Sequence, residues 1–298
     1  MLTIPRAGFF PNGANFPGGQ PPGSALELKV MAARLADLYR FRALIATLVL
    51  RELRARYRGS FLGFLWSFLN PLTLMLVYVL VFSVYLRVPM ENYAVFLITG
   101  LLPWLWFSSS LGHAAGVIVG SGSLVKRILF PAEVLPLVSV LSNLVNLVLT
   151  LPLLLVFLLV FGIRPTGMLA FLPLLLAIQL LLTVGLALPL AALNVHLRDV
   201  EQILANALVL LFFLSPILYP VSTVPLHLRL GEALSIPLRP LYFLNPVAGL
   251  VQGYQNVIFF GRQPHWIHLG MVTAMAVVTF WAGYAIFERL RDGLAEEV

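Results

Sequence analysis

Seven side chains in the first long apolar stretch, Phe61, Phe64, Phe68, Met75, Tyr78, Phe82 and Tyr85, fall at helical spacing on one seam. Helix packing or an interfacial aromatic belt produces such a seam, and a stacking surface for sugar rings requires one. Trp104, Trp106 and Phe107 separate these readings better. Counted from Tyr93 at ~1.5 Å per residue, Trp104 lies roughly 16 Å along its helix, close to mid-bilayer, where an interface belt does not place tryptophan. Indole offers an apolar face to a sugar ring and an N–H to a hydroxyl, so a polar passage and plain packing both account for it.

Other chemistry is thin. Gly120, Ser121, Gly122 and Ser123 resemble a serine nucleophile turn only superficially, because the glycine expected after the nucleophile is missing. His113, His196, His227, His265 and His268 show no metal-ligand spacing that recurs on a helix, so no metal site is expected. No apolar stretch holds a charged residue near its middle, which counts against a proton- or sodium-driven carrier. The two lysines, Lys29 and Lys126, follow Leu28 and Val125 rather than glycine, so the chain has no phosphate-binding loop. If ATP supplies the energy, a separate subunit binds it. Absent cysteine removes disulfides and thiol chemistry.

These residues sit on elements that only a bilayer accommodates. Six stretches carry no Asp, Glu, Lys or Arg: Gly59 to Leu86, Asn92 to Val125, Val134 to Ile163, Pro165 to Leu197, Gln202 to Leu228 and Gln263 to Phe287. Each exceeds the ~20 residues that a helix needs to cross the hydrocarbon core. With 60% hydrophobic and 10% charged residues and a mean hydropathy of +0.96, the chain has more apolar surface than a globular core of its length can bury. Barrel strands alternate polar and apolar, whereas these runs are solidly apolar, so helices are expected. The fold class is all-α: a polytopic membrane protein with six transmembrane helices, spanning about 61–86, 93–119, 134–161, 168–193, 202–219 and 265–287 within a domain of 59–290.

Lys and Arg distribution sets the orientation. Lys29, Arg34, Arg40, Arg42, Arg51, Arg54, Arg56 and Arg58 precede the first span, Lys126, Arg127 and Arg198 lie in the second and fourth loops, and Arg289 and Arg291 close the chain. Arg87, Arg164, Arg229, Arg239 and Arg262 are on the other side, so both termini are expected in the cytoplasm. The net charge of +7 is therefore a topology signal and does not call for nucleic-acid binding. Residues 1–25 read as a flexible Pro/Gly-rich tail without the apolar core of a cleavable signal, and 291–298 as a cytoplasmic tail.

Three further elements are expected. Residues 26–58 suit an amphipathic helix in the cytoplasmic interface, with Arg51, Arg54 and Arg58 on one face, although a basic flank that merely fixes topology fits as well. Ser123 is a plausible cap for a two-turn cytoplasmic helix, 123–130, that Pro131 stops. From 220 to 262 the prolines predict two short helices, the second capped by Asn245, started by Pro246 and ended by Gly261. At ~1.5 Å per residue, Pro246 to Phe259 reaches roughly 21 Å, so that helix is expected to dip in without spanning.

The chain resembles the transmembrane subunits of ABC exporters for polysaccharides and polyol phosphates, the O-antigen, capsule and teichoic-acid permeases. The resemblance rests on Arg56-Tyr57-Arg58-Gly59-Ser60 with Leu62, Gly63, Trp66, Pro71 and Tyr78, and on Gly100 to Trp104. It continues through Leu124 to Pro131 with Leu135 and Pro136, Arg198-Asp199, Ser215-Pro216-Ile217 with Tyr219-Pro220, and Asn245-Pro246. It covers about residues 40 to 290, and the long start, Met1 to Gly23, departs from the shorter members. The family implies a homodimer in the bacterial inner membrane with two copies of a cytoplasmic ABC ATPase, which bind ATP and Mg; this chain itself binds no cofactor. By the same analogy, Ser123, Lys126, Arg127 and Phe130 belong to a coupling helix docked on the ATPase, Arg198, Asp199 and Glu201 form a second contact, and the short helices of the periplasmic segment 220–262 are gate helices. A channel between protomers would carry lipid-linked polysaccharide, with O-antigen favoured, past Phe64, Phe68, Tyr78, Phe82, Tyr85, Trp104, Trp106, Phe107 and Tyr219. The alternatives are a teichoic-acid, capsule, lipid or drug exporter and, in another class, a membrane-embedded glycosyl- or acyltransferase using Glu133 with Arg127 or Glu91.

Overall fold

The computed structural model describes residues 41–57, 63–85, 87, 89–122, 131–230, 234–237 and 242–297. Arg58, Ser123, Lys126, Arg127 and Phe130 lie outside the described residues, as does the side chain of Phe64. Residues Ile45–Val298 form one unit and Met1–Leu44 another.

Helix α1 is Arg42–Tyr57. A 3₁₀ turn, Gly63–Leu65, leads into α2, Trp66–Val79, which continues as a π-helical stretch, Leu80–Tyr85. Then follow α3 (Tyr93–Gly120), α4 (Val134–Val160) and α5 (Leu172–His196), the last entered through a 3₁₀ turn at Gly167–Phe171. Helix α6 covers Val200–Phe213 and α7 covers Pro246–Tyr254, with a π-helical extension through Phe259. Helix α8, Trp266–Glu297, runs well past residue 287, where the last span was expected to end.

Among the described residues, five helical segments are long and apolar enough to cross a membrane: Phe68–Tyr85, Tyr93–Gly120, Val134–Val160, Gly167–His196 and Trp266–Arg291. The molecule is a multi-pass membrane protein. The expected fifth span differs. Helix α6 has 14 residues, about 21 Å, and the chain turns at Leu214 instead of continuing as helix to residue 219. Pro216 lies within that turn, and hydropathy alone does not register it.

The first of the two expected short helices is also corrected. After a 3₁₀ turn at Val221–Thr223, strands β1 (His227–Leu230) and β2 (Leu234–Pro237) pair antiparallel, with Leu228 opposite Ile236 and Leu230 opposite Leu234. Polar and apolar residues alternate through His227-Leu228-Arg229-Leu230, the period of a strand. The second short helix forms with its expected punctuation. Asn245 accepts the Val247 N–H at 3.0 Å, Pro246 occupies the first turn, and Gly261 ends the run at φ +60°.

Helix α3 is the hub, packed against α2, α4, α5, α6 and α7. Its small residues, including Gly100, Ser110, Ala114 and Ala115, let neighbours approach on every side. Helices α5 and α8 come closer still, at Gly185 and Gly283. A Cβ on Gly185 would stand 2.6 Å from the Phe280 Cα, and one on Gly283 would run into the Gly185 carbonyl oxygen. Helix α4 closes on Gly162 at φ +73°, with Ile163 N–H bonded to Leu158 O at 2.8 Å and Gly162 N–H to Leu159 O at 3.1 Å.

Candidate functional site

Three groups of residues outside ordinary packing lie along the bundle. The first is an open face. Of the Phe68–Tyr85 stretch 11% is buried, against 78% of the corresponding stretch of α3. Leu76 and Val77 project from α2, Val84 and Tyr85 from its π-helical continuation, and Ile203, Val209, Leu210 and Phe213 from α6. Tyr78 stacks on Phe212 with centroids 5.6 Å apart, which brings α2 and α6 together at that point. Counting back from that contact at ~1.5 Å per residue, Thr73 and Asn206 lie at nearly the same level, and both are exposed. Asn70 and Gln202, also exposed, extend this polar level. Lipid makes a poor neighbour for carboxamides, so the face suits a polar passage better than hydrocarbon.

The expected channel residues divide. Tyr85 is exposed, and Phe68, Tyr78, Phe82 and Tyr219 are half-buried, Phe82 stacking on Tyr93. Trp104, Trp106 and Phe107 are interior in this conformation, Trp106 and Phe107 2% and 1% exposed. Trp106 Nε1 donates to the Val140 carbonyl at 3.3 Å, while Trp104 lies against Phe107 and Phe212. All three rings are packed inside the bundle in this conformation, and Trp104 backs the open face through Phe212.

The second group is the corner after α6. Ser215, Ile217 and Leu218 are buried, and irregular backbone there needs partners for its carbonyls. Asn245 Nδ2 donates to Leu214 O at 3.3 Å, Gln255 Nε2 to Pro216 O at 2.6 Å, and the Tyr93 hydroxyl to Leu218 O at 2.8 Å. Tyr219 donates to Phe213 O at 2.8 Å and receives the Tyr242 hydroxyl at 3.3 Å. Burial, followed by this hydrogen bond, holds the Tyr242 phenol far above its ordinary range, so it acts as a neutral donor. Gly100 lets the corner sit on α3, since a Cβ there would come 3.2 Å from Gln255 Nε2 and 3.5 Å from the Ile217 Cα. The Ser-Pro-Ile and Asn-Pro motifs thus build one buried bend.

The third group was missed in the sequence. Arg56, on α1, donates to Asn143 Oδ1 at 2.9 Å and to Glu52 Oε1 at 3.3 Å. Ser142 Oγ lies 3.1 Å from Glu52 Oε2, and Asn143 Nδ2 donates to His113 Nδ1 at 3.2 Å. That contact makes Nδ1 an acceptor, so a neutral His113 carries its proton on Nε2. Asn143 is nine residues, about 14 Å, inside α4, and His113 is seven, about 10 Å, from the end of α3. An ion pair from α1 therefore reaches the depth of the spanning helices. Its sequence trace was the four-residue spacing of Glu52 and Arg56 together with Ser142 and Asn143 inside an apolar run. Arg51 and Arg54, the expected interface-helix cations, remain exposed on α1.

Among the described residues, no group of three or more His, Asp or Glu side chains could hold a metal ion. Arg198 and Asp199 are exposed between α5 and α6, whereas Glu201 turns one carboxylate oxygen to Asn194 at 2.9 Å. Glu133 is buried at the start of α4, and its Oε2 has no hydrogen-bond partner among the described residues.

A sequence profile described as ABC-2 type transporter matches residues 43–259, from the first turn of α1 to the end of the π-helical stretch after α7. The chain belongs to the ABC-2 type transporter family. It is 44% identical over 268 residues to the O-antigen export system permease protein RfbA of Myxococcus xanthus, covering 90% of this chain and 100% of that protein. An O-antigen export system permease protein RfbA of Klebsiella pneumoniae is 30% identical over 254 residues, 85% of this chain and 94% of the relative. The polysialic acid transport protein KpsM of Escherichia coli is 25% identical over 260 residues, 84% and 94% of the two chains.

Proposed function

We propose that this permease is half of an ATP-driven exporter that moves a lipid-linked polysaccharide, an O-antigen, from the cytoplasm to the periplasm across the bacterial inner membrane. Two copies enclose the passage between their α2 and α6 faces, and two copies of a cytoplasmic ABC ATPase drive it. Hydrolysis belongs to that partner, since this chain has no Gly-Lys-Ser/Thr loop and is not itself an enzyme. Both termini face the cytoplasm, in line with the excess of Lys and Arg around α1 and in the α3–α4 and α5–α6 connections. The segment Ser123 to Phe130 and the Arg198-Asp199 loop dock on the ATPase, and the corner with Tyr219 and Tyr242 stands at the periplasmic exit.

One observation carries the passage: the unpacked α2–α6 face combines a polar level at Asn70, Thr73, Gln202 and Asn206 with exposed aromatic rings at Tyr85 and Phe213. The names of the relatives supply the cargo. Because the chain lacks cysteine, single cysteines at Thr73 and Asn206 can be labelled without background. Both are expected to react with a small water-soluble maleimide in assembled membranes and to lose about tenfold in rate when export is stalled with glycolipid bound. Inert cysteines, or labelling indifferent to cargo, would mean that this face meets lipid.

A further inference from the structure

We infer that Glu201 is a positioning residue that locks the α5–α6 connection to the end of α3, and that it presents Arg198 and Asp199 to the ATPase rather than touching the ATPase itself. The second half of this inference rests on the docking proposed above. Glu201 stands in the first turn of α6, and its Oε1 accepts from Asn194 Nδ2 at 2.9 Å. Asn194, near the end of α5, is 4% exposed. The pair therefore brackets the exposed residues Arg198 and Asp199.

The third member is a glycine. A Cβ on Gly116 would lie 2.6 Å from Glu201 Oε1 and 3.5 Å from its Cδ, so the carboxylate fits against α3 only because no side chain is there. Gly116 is four residues from the end of α3, which leads into the segment containing Lys126 and Arg127. One carboxylate thus ties the α5–α6 connection to the last turns of α3. At the same place the His196 ring meets the Glu297 carboxylate, which brings the end of α8 onto the α5–α6 connection. Glu201 is exposed overall, and Oε1 is the carboxylate oxygen that is engaged within the fold.

Lock and direct contact respond differently to substitution. Asn194→Asp replaces the donor with a second carboxylate and breaks the lock by repulsion. Adding Glu201→Gln restores it, because the new amide donates to the new carboxylate. Glu201→Gln alone keeps its oxygen as an acceptor and removes only the charge.

The test has two arms. A spin label on Leu197→Cys, a position 59% exposed, reports loop mobility in the purified permease alone. ATP turnover stimulated by the permease, with unlabelled protein and matched complex, reports coupling. Asn194→Asp is expected to free the label and lower turnover about tenfold, the worth of one charge-assisted hydrogen bond. Glu201→Gln stays near wild type, and the double variant recovers both readouts. An unchanged label in Asn194→Asp overturns the lock. Lost turnover in Glu201→Gln, with Asn194→Asp unaffected, overturns it in favour of direct contact. If wild-type permease stimulates no ATPase, the docking proposal fails, and the label arm still decides the lock.

Discussion

Gly283→Ala is expected to remove most of the folded protein from the membrane. The added methyl would be driven into the Gly185 carbonyl, with Pro189 Cδ 3.2 Å away, so neither helix has a side chain that can rotate aside. Overpacking a core costs ~1–3 kcal/mol when side chains absorb it, and contact between two backbones puts this variant at the upper end or beyond. Two neighbours grade the effect. At Gly249 a methyl would meet Val272 Cγ2 at 2.5 Å, a buried β-branched side chain with little χ1 freedom but no backbone atom in the way, so Gly249→Ala loses ~1–3 kcal/mol. At Gly270 none of the described residues lies within 4 Å of the added methyl, and Gly270→Ala is neutral or gains up to ~1 kcal/mol in helix propensity. Protein level and thermal midpoint in detergent would rank the variants in that order. Equal behaviour of Gly283→Ala and Gly270→Ala would refute the close α5–α8 contact.

Arg56→Ala carries the second large effect. Among the described residues it leaves Glu52 with Ser142 alone and strips Asn143 and His113 of a donor, where the Arg56 and Glu52 side chains are 27% and 29% exposed. Breaking a well-buried pair costs ~3–5 kcal/mol, and partial exposure reduces that here to about 2. Export is expected to fall while insertion persists, because the charge-free spans are intact. Replacing both partners, as Glu52→Gln with Arg56→Met, leaves no uncompensated charge and is expected to be milder than Arg56→Ala alone. Thermal midpoints of the purified variants check this. A double variant no better than the single one would mean that Arg56 acts outside this network.

The parts legible in the sequence are those that membrane physics makes unambiguous. Charge-free runs revealed the long helices because an unpaired charge in hydrocarbon is costly, and Asn245, Pro246 and Gly261 marked α7 because each satisfies a specific backbone need. The end of α6 was obscured because Ile217 and Leu218 are as apolar as the helix before them; only the hydrogen bonds from Asn245, Gln255 and Tyr93 show that the chain has turned. Depth placed Trp104 midway along its helix, but depth says nothing about which neighbours cover a ring, and Phe212 covers this one. The Arg56 network was hidden for a related reason. Its charges come from α1 and its polar partners from α3 and α4, 57 and 87 residues away, so no single stretch displayed it. The open face of α2 was likewise invisible, since periodicity groups residues on a face without saying what lies opposite.

The most direct measurement is reconstitution. Permease and its cytoplasmic ATPase are placed in proteoliposomes containing a labelled lipid-linked polysaccharide, with the nucleotide-binding side outward, and the glycan reachable from outside is followed after ATP is added. Exposed glycan is expected to disappear into the lumen only when ATP and a hydrolysis-competent ATPase are both present, with the glycolipid chemically unchanged. Movement or chemical modification of the glycolipid by this chain alone would contradict the account.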